Sequence, residues 1–207
     1  VRLDARGPGR IWPVDGASLT TDLLRVVYAE GAFPMGDETG EVNFYIPRER
    51  AIFDLASGVH VSSSFGKVLR RADFRVSFDE AFEEVMRGCY RPTDNWLTEE
   101  IVRVYTEAHR EGWGHSCEVW REDRLVEGLY GLAVGKCFCA ESMFHRESNM
   151  SKVALWAMVE KCQKLGFELF DAQMVTPHTL RMGRIPISQP QFMKKFRPIW
   201  RDEIEWH

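Results

Sequence analysis

Leu125-Val126-Glu127-Gly128-Leu129-Tyr130-Gly131-Leu132-Ala133-Val134 runs through Gly135-Lys136 into Cys137-Phe138-Cys139-Ala140-Glu141-Ser142-Met143-Phe144. Two apolar runs joined by a two-residue Gly-containing turn read as a β-hairpin. Upstream, residues 116–120 form another strand, separated from the hairpin by the charged turn Arg121-Glu122-Asp123-Arg124. Downstream, Leu155, Trp156, Met158, Val159 and Cys162 recur at helical spacing over residues 151–165. Gly166 ends that helix, and residues 167–174 return as a strand. Strand–strand–strand–helix–strand predicts a mixed sheet crossed by a helix, the last strand lying parallel to an earlier one under the right-handed crossover rule. The expected fold class is α+β.

Two strands in this frame carry groups that a buried strand should lack. Glu141 follows Phe138-Cys139-Ala140, and Asp171 and Gln173 sit within Phe170-Asp171-Ala172-Gln173-Met174. An unpaired buried polar group costs about 1–3 kcal/mol, and a charge costs more. Asp171 and Gln173 are two apart on a strand and share a face. Asp171 can orient and polarise Gln173, or it can accept a proton; the bland alternative is a strand end turning toward solvent. Glu141 either pairs with a neighbour such as Arg146 or recognises a cationic or amine-bearing ligand.

Ahead of this region the chain is rich in turn formers, among them Gly7, Pro8, Gly9, Pro13, Gly16, Pro34, Gly36, Gly40 and Pro47. A helix capped by Ser18 or Thr20, with Leu23, Leu24, Val27 and Tyr28 inward, ends at Gly31. Residues 42–46 read as a short strand. Residues 1–59 are therefore expected to form a small N-terminal domain, and 60–207 the mixed-sheet domain. Within the latter, a short helix carries Lys67, Arg70 and Arg71 on one face, a basic cluster able to meet phosphates or simply to be solvated. Residues 74–77 read as a strand and residues 79–88 as a helix, and Thr98 opens another helix with Gly112 past its end. Phe192, Phe196 and Trp200 recur every four residues, but Pro190 and Pro198 are expected to limit any helix there.

Composition narrows the function classes. Net charge is −4, with 27 Lys and Arg against 31 Asp and Glu, so any nucleic-acid footprint is local. No apolar run approaches the ~18 residues of a membrane span, and the first residues lack the apolar core of a signal peptide. The five cysteines are scattered without a C-x-x-C pair, as expected of free buried thiols in the cytoplasm. No metal site is expected. Neither G-x-x-x-x-G-K-[ST] nor G-x-G-x-x-G occurs, and residues 146–152 lack the glycines with which acetyl-CoA enzymes cradle a pyrophosphate, so no cofactor is expected.

Other candidates admit two readings. Leu129, Phe138, Met143, Leu155, Met158 and Phe170 are core, or they line an apolar pocket that methionine makes adaptable. Phe44-Tyr45 and Trp96 are interdomain packing, or platforms on which a nucleobase stacks. Asn149 and Ser151 at the start of the long helix are caps, or anion-facing groups.

Taken together, the motifs resemble the leucyl/phenylalanyl-tRNA–protein transferases. The matching blocks are Gly31-Ala32-Phe33-Pro34, Phe44-Tyr45-Ile46-Pro47-Arg48-Glu49-Arg50-Ala51, Asn95-Trp96-Leu97-Thr98, His115-Ser116-Cys117-Glu118-Val119-Trp120, Gly128-Leu129-Tyr130-Gly131, Phe138-Cys139-Ala140-Glu141-Ser142-Met143-Phe144, Asn149-Met150-Ser151-Lys152 and Asp171-Ala172-Gln173. The resemblance implies an N-acetyltransferase-like (GNAT-like) domain that uses aminoacyl-tRNA in place of an acyl cofactor. It implies transfer of Leu or Phe, and in some members Met, to proteins beginning with Arg or Lys, which feeds N-degron degradation. Under it Asp171 and Gln173 form the catalytic pair, with Glu141 beside them. Leu129, Phe138, Met143, Leu155, Met158 and Phe170 form the aminoacyl pocket. Tyr45, Trp96 and Tyr105 contact the terminal adenosine, and Lys67, Arg70 and Arg71 contact tRNA.

The chain also departs from the family pattern. Phe44-Tyr45 replaces paired tryptophans, Ser63 and Gly66 replace basic residues, Met158 stands where a Phe is common, and Leu180-Arg181-Met182-Gly183-Arg184 replaces an S-L-G-A run. Arg181 and Arg184 either restore positive charge or change acceptor choice. The rival readings are an aminoacyl-tRNA-dependent transferase with another acceptor, a non-catalytic tRNA- or peptide-binding relative, and an ordinary N-acetyltransferase.

Overall fold

The computed structural model describes residues 10–12, 18–71, 73–91, 96–147, 150–176, 179 and 183–207. Near the N-terminus, β1 (Arg10–Trp12), β2 (Phe33–Gly36) and β3 (Val42–Ile46) make an antiparallel three-stranded sheet in the order β1-β3-β2. Helix α1 (Thr21–Ala29) precedes β2, and the Thr20 hydroxyl caps it by accepting from the Leu23 amide.

The chain enters the large sheet at β4 (Glu49–Phe53), on the N-terminal side of residue 59. Next come α2 (Ser63–Arg71), β5 (Arg75–Phe78), α3 (Phe82–Gly88) and α4 (Glu99–Arg110), the last capped by Thr98. The expected meander follows as β6 (Gly114–Arg121), β7 (Arg124–Val134) and β8 (Cys137–His145), and then α5 (Met150–Leu165) and β9 (Leu169–Met174). The chain closes with β10 (Ile185–Ser188) and α6 (Gln189–Phe196). The seven-stranded order is β10-β4-β9-β8-β7-β6-β5. All neighbours are antiparallel except β8 and β9, which pair in parallel across the α5 crossover, as the sequence pattern requires. This is the mixed-sheet α+β architecture expected.

Side-chain alternation splits the core between the two faces of the sheet. Leu125, Tyr130, Leu132, Cys137 and Cys139 pack with residues of α1, α3 and α4. Val126, Leu129, Phe138 and Phe170 pack against α5, and Trp206 near the C-terminus closes that layer. Cys137 and Cys139 share a face, their sulfurs 3.8 Å apart, and both are free and buried. No helix among the described residues is long and apolar enough to cross a membrane.

One C-terminal element differs from expectation. Pro190 does not prevent a helix, because it lies in the first turn of α6, where a missing N–H breaks no helical bond. Ser188 and Gln191 form a capping box around it, with Ser188 N donating to Gln191 Oε1 at 2.8 Å. Strand β10 contains Pro186 and pairs with β4 alone at the edge of the sheet, the position in which a strand tolerates proline.

Candidate active site

Strands β8 and β9 are hydrogen-bonded neighbours over a short stretch, with Cys137, Phe138 and Cys139 opposite Leu169, Phe170 and Asp171. Just past that stretch each strand carries an irregularity. On β8, Tyr130 faces Ser142 and Gly131 faces Ala140, which leaves Glu141 as the extra residue. On β9, Arg50 faces Met174 and Ile52 faces Asp171, so that Ala172 and Gln173 together oppose Ala51. Such bulges re-aim a side chain that strict alternation would send elsewhere. Gln173 adopts a left-handed φ of 59°, uncommon outside glycine. Its amide donates to Asp171 Oδ1 at 2.8 Å, a local turn that holds this conformation.

Asp171 is fully buried, and so is its partner Arg50 on β4. Arg50 Nη1 lies 2.6 Å from Asp171 Oδ2. The guanidinium also donates through Nε to Gln189 Oε1 at 3.0 Å and through Nη2 to the Gly31 carbonyl. Its flat face lies over the Phe192 ring, 4.4 Å from the centroid. Burial pushes the Asp171 pKa above the ordinary carboxylate value, while Arg50 and the Gln173 amide pull it down. With both oxygens taken by N–H donors, Asp171 is built as an anchor for Arg50 and for the Gln173 backbone.

Glu141 gathers the other half of the network. Oε1 accepts from Gln173 Nε2 at 2.7 Å and from the Tyr28 hydroxyl at 2.5 Å, and Oε2 is 3.4 Å from the Tyr105 hydroxyl. The two phenols are themselves 2.6 Å apart, and burial raises the pKa of each. Desolvation pushes Glu141 up to about 7, although the Tyr28 and Gln173 donors oppose the shift. A carboxyl poised there can take or return a proton near neutrality. Because Gln173 Nε2 points at Glu141, its Oε1 is left to accept from whatever occupies the cleft.

The Glu141 shift has a consequence for stability. A glutamate of ordinary pKa, about 4.3, that rises to about 7 on folding binds its proton more tightly in the folded protein. Its stabilising contribution is present below about pH 4.3 and is lost as the pH rises through about 7. Glu141→Gln removes this dependence. The variant should gain stability relative to wild type in urea melts as the buffer moves from pH 5 to pH 8, and parallel pH curves would contradict the assignment.

Glu141 and Gln173 face a cleft of about 1130 Å³, whose wall also includes Phe33, Met35, Tyr45, Trp96, Leu129, Met143, Met174 and Arg184. Trp96 is fixed from behind, where its carbonyl accepts from Gly36 N at 2.8 Å. Tyr45 and Trp96 thus stand on the cleft wall, and so do Leu129 and Met143. Phe138, Leu155, Met158 and Phe170 are buried behind that wall in the α5 core. Tyr105 is fully buried, so it reaches the cleft through Glu141 and Tyr28. Lys67, Arg70 and Arg71 are exposed on α2, away from the cleft wall. Ser151 lies in the first turn of α5, and Asn149 is outside the described residues. Arg146 donates to the Leu125 carbonyl at 2.8 Å, and Glu141 has other partners.

Three members of this network escape a reading of the sequence as a source of chemistry. Arg50 sits in the charged run Arg48-Glu49-Arg50, Tyr28 reads as one more apolar residue of α1, and Gln189 lies beside a proline. A signal for Arg50 does exist, since Ala51-Ile52-Phe53 follows it directly, and a cation abutting an apolar run is a candidate buried partner for an orphan carboxylate.

Comparison with known proteins adds to this geometry. The sequence model of a family described as leucyl/phenylalanyl-tRNA protein transferase matches residues 52–197. A leucyl/phenylalanyl-tRNA–protein transferase of Herpetosiphon aurantiacus is 40% identical over 174 residues, covering 84% of this chain and 91% of that protein. One from Shewanella baltica is 38% identical over 194 residues, covering 92% of this chain and 81% of that protein. A solved C-terminal domain from Agrobacterium fabrum, ascribed to a lysylphosphatidylglycerol synthetase, overlays with a TM-score of 0.42 at 13% identity, over 91% of this chain and 64% of that one. That likeness is too distant to inform the site.

Proposed function

Because this chain belongs to the leucyl/phenylalanyl-tRNA–protein transferase family, we propose that its cleft receives the aminoacylated 3′ end of a tRNA and passes Leu or Phe to the α-amine of an acceptor protein. The observation that carries the mechanism is the double restraint on Gln173, whose backbone is held by Asp171 and whose amide is held by Glu141.

An aminoacyl ester is already activated, so the enzyme's task is to place the two reactants and to steady the tetrahedral intermediate. An α-amine has a pKa of about 7.7–8.0, and a useful fraction is neutral at pH 7. Gln173 Oε1 accepts an N–H of that amine and points its lone pair at the ester carbonyl. The C–N bond forms, the bond between the carbonyl carbon and the ribose oxygen breaks, and the proton lost by nitrogen ends on the ribose hydroxyl. Glu141, poised near neutrality, carries that proton. Tyr45 and Trp96 stack the terminal adenine, and Leu129 and Met143 receive the Leu or Phe side chain. Shape alone separates such side chains by about 1–3 kcal/mol per methylene, so selection is partial.

For the acceptor, the reading is a protein beginning with Arg or Lys. The cleft rim carries Asp37 and Glu38. The Thr39 hydroxyl holds the Asp37 carboxyl below its ordinary range, with backbone amides adding to the effect, so Asp37 stays anionic. An anionic rim suits a cationic N-terminal residue. The modified N-terminus then feeds N-degron degradation.

Incubation of the protein with labelled leucyl-tRNA and a reporter protein beginning with Arg, Lys or Met tests the proposal. Label is expected on the Arg and Lys reporters and not on the Met reporter. Absence of label on all three would refute the transfer, and equal labelling of the Met reporter would refute the acceptor rule.

A further inference from the structure

Among the described residues two arginines are buried beside this site, and they differ in one respect. Arg50 spends its donors on Asp171, Gln189 and Gly31. Arg184, just ahead of β10, is 6% exposed and lines the cleft. Its Nε and Nη1 are buried without a hydrogen-bond partner among the described residues. Burial pushes its pKa down to about 10, which leaves it charged at neutral pH. Its backbone is fixed where its amide donates to the Thr179 carbonyl at 3.3 Å and where β10 docks on β4. A desolvated cation with idle donors is costly unless something completes it.

We propose that Arg184 is the receptor for a phosphate of the aminoacyl-tRNA, the phosphodiester on the 5′ side of the terminal adenosine. A guanidinium presents a planar fork that matches two phosphate oxygens, and the resulting charge-assisted pair is stronger than a neutral one. The reacting end of the acceptor is cationic and would be repelled by this group. The tRNA brings an anion attached to the same nucleoside whose ester faces Gln173. Arg184 thereby fixes the distance between the phosphate and the ester, and it separates donor from acceptor within one cleft. This assignment rests on the transfer function proposed above and adds to it the residue that reads the terminal nucleotide.

The test uses two donors and one binding pair. With Arg184→Gln, KM for leucyl-tRNA is expected to rise by about tenfold or more, the scale of one charge-assisted hydrogen bond. KM for 2′(3′)-O-leucyl-adenosine, which lacks the phosphate, and KM for an Arg-starting peptide should stay at wild-type values. Arg184→Lys should recover part of the loss. The melting temperature of Arg184→Gln should match or exceed that of wild type, because an unpaired buried charge has been removed. Equal losses with both donors, or a lowered melting temperature, would reduce Arg184 to a structural role and overturn the proposal. A change confined to KM for the peptide would assign Arg184 to the acceptor and overturn it equally. Calorimetry with 5′-AMP and adenosine separates this inference from the transfer reaction. The wild type should prefer 5′-AMP, and Arg184→Gln should bind both alike. A wild type that does not discriminate sinks the proposal whatever the transfer result. A wild type that prefers 5′-AMP yet transfers no leucine sinks the transfer function and leaves Arg184 as a phosphate receptor.

Discussion

Asp171→Ala is expected to be the most damaging single change in this chain. Asp171 is fully buried, and its removal leaves the Arg50 guanidinium facing no carboxylate in the protein interior. Removing one partner of a buried ion pair costs about 3–5 kcal/mol, a large share of the about 5–15 kcal/mol that holds a domain together. Gln173 simultaneously loses the acceptor that ties down its left-handed backbone, so transfer should fall by about 10²–10³-fold or more. A paired change separates the two effects. Arg50→Met with Asp171→Leu replaces the ions by apolar groups, and it should recover most of the stability while leaving transfer as low as in the single variant. Urea midpoints and single-turnover rates on the same preparations give both quantities. If Asp171→Ala melts like wild type, the pair is not the keystone described. If the double variant transfers normally, Asp171 has no role in the reaction.

Gln173→Ala should act differently. The side chain is almost fully buried and its amide donates to Glu141, but no buried charge is left facing apolar surroundings, since Tyr28 still donates to the same carboxylate oxygen. The expected result is a stability loss of about 1–2 kcal/mol, the scale of a hydrogen bond to a charged group, with transfer lowered by about 10²–10³-fold. Affinity for charged tRNA should stay near the wild-type value, because in the proposed reaction Gln173 meets the attacking amine and not the nucleotide. A KM effect with kcat preserved would move Gln173 from the reacting atoms to uniform substrate binding.

How legible this site was from sequence depends on the residue. Glu141, Asp171 and Gln173 stood out because a polar group inside an apolar strand is a local anomaly, visible without a partner. The meander, the α5 crossover and the parallel β8–β9 pairing followed from periodicity and handedness. What periodicity could not show is that both strands bulge, since a bulge is an extra residue relative to the neighbouring strand and appears only in the register with that neighbour. Arg50 was hidden for a related reason, because its partner lies 121 residues away. Of the six residues expected to form an apolar pocket only Leu129 and Met143 line the cleft, because an apolar side chain reads alike whether it lines a cleft or lies behind its wall. Leu129 and Met143 therefore could not be told in advance from Phe138, Leu155, Met158 and Phe170. Tyr45 and Trp96, both on the cleft wall, could be singled out because they sit beside turn formers, where a large ring has little core to enter.

The insertion of β4 between β9 and β10 also constrains how this protein comes into being. During synthesis residues 49–53 leave the ribosome well before either of their sheet neighbours exists. The strand that carries Arg50 has to wait with both edges open and a cation uncompensated while the rest of the sheet is made. Pairings between distant segments close slowly and leave exposed edges prone to association with other chains. The site also draws on Tyr28, Arg50, Glu141, Asp171 and Gln189, so it is assembled only once α6 has docked. A nascent chain halted before residue 189 would hold most of the recognisable motifs and none of the working geometry.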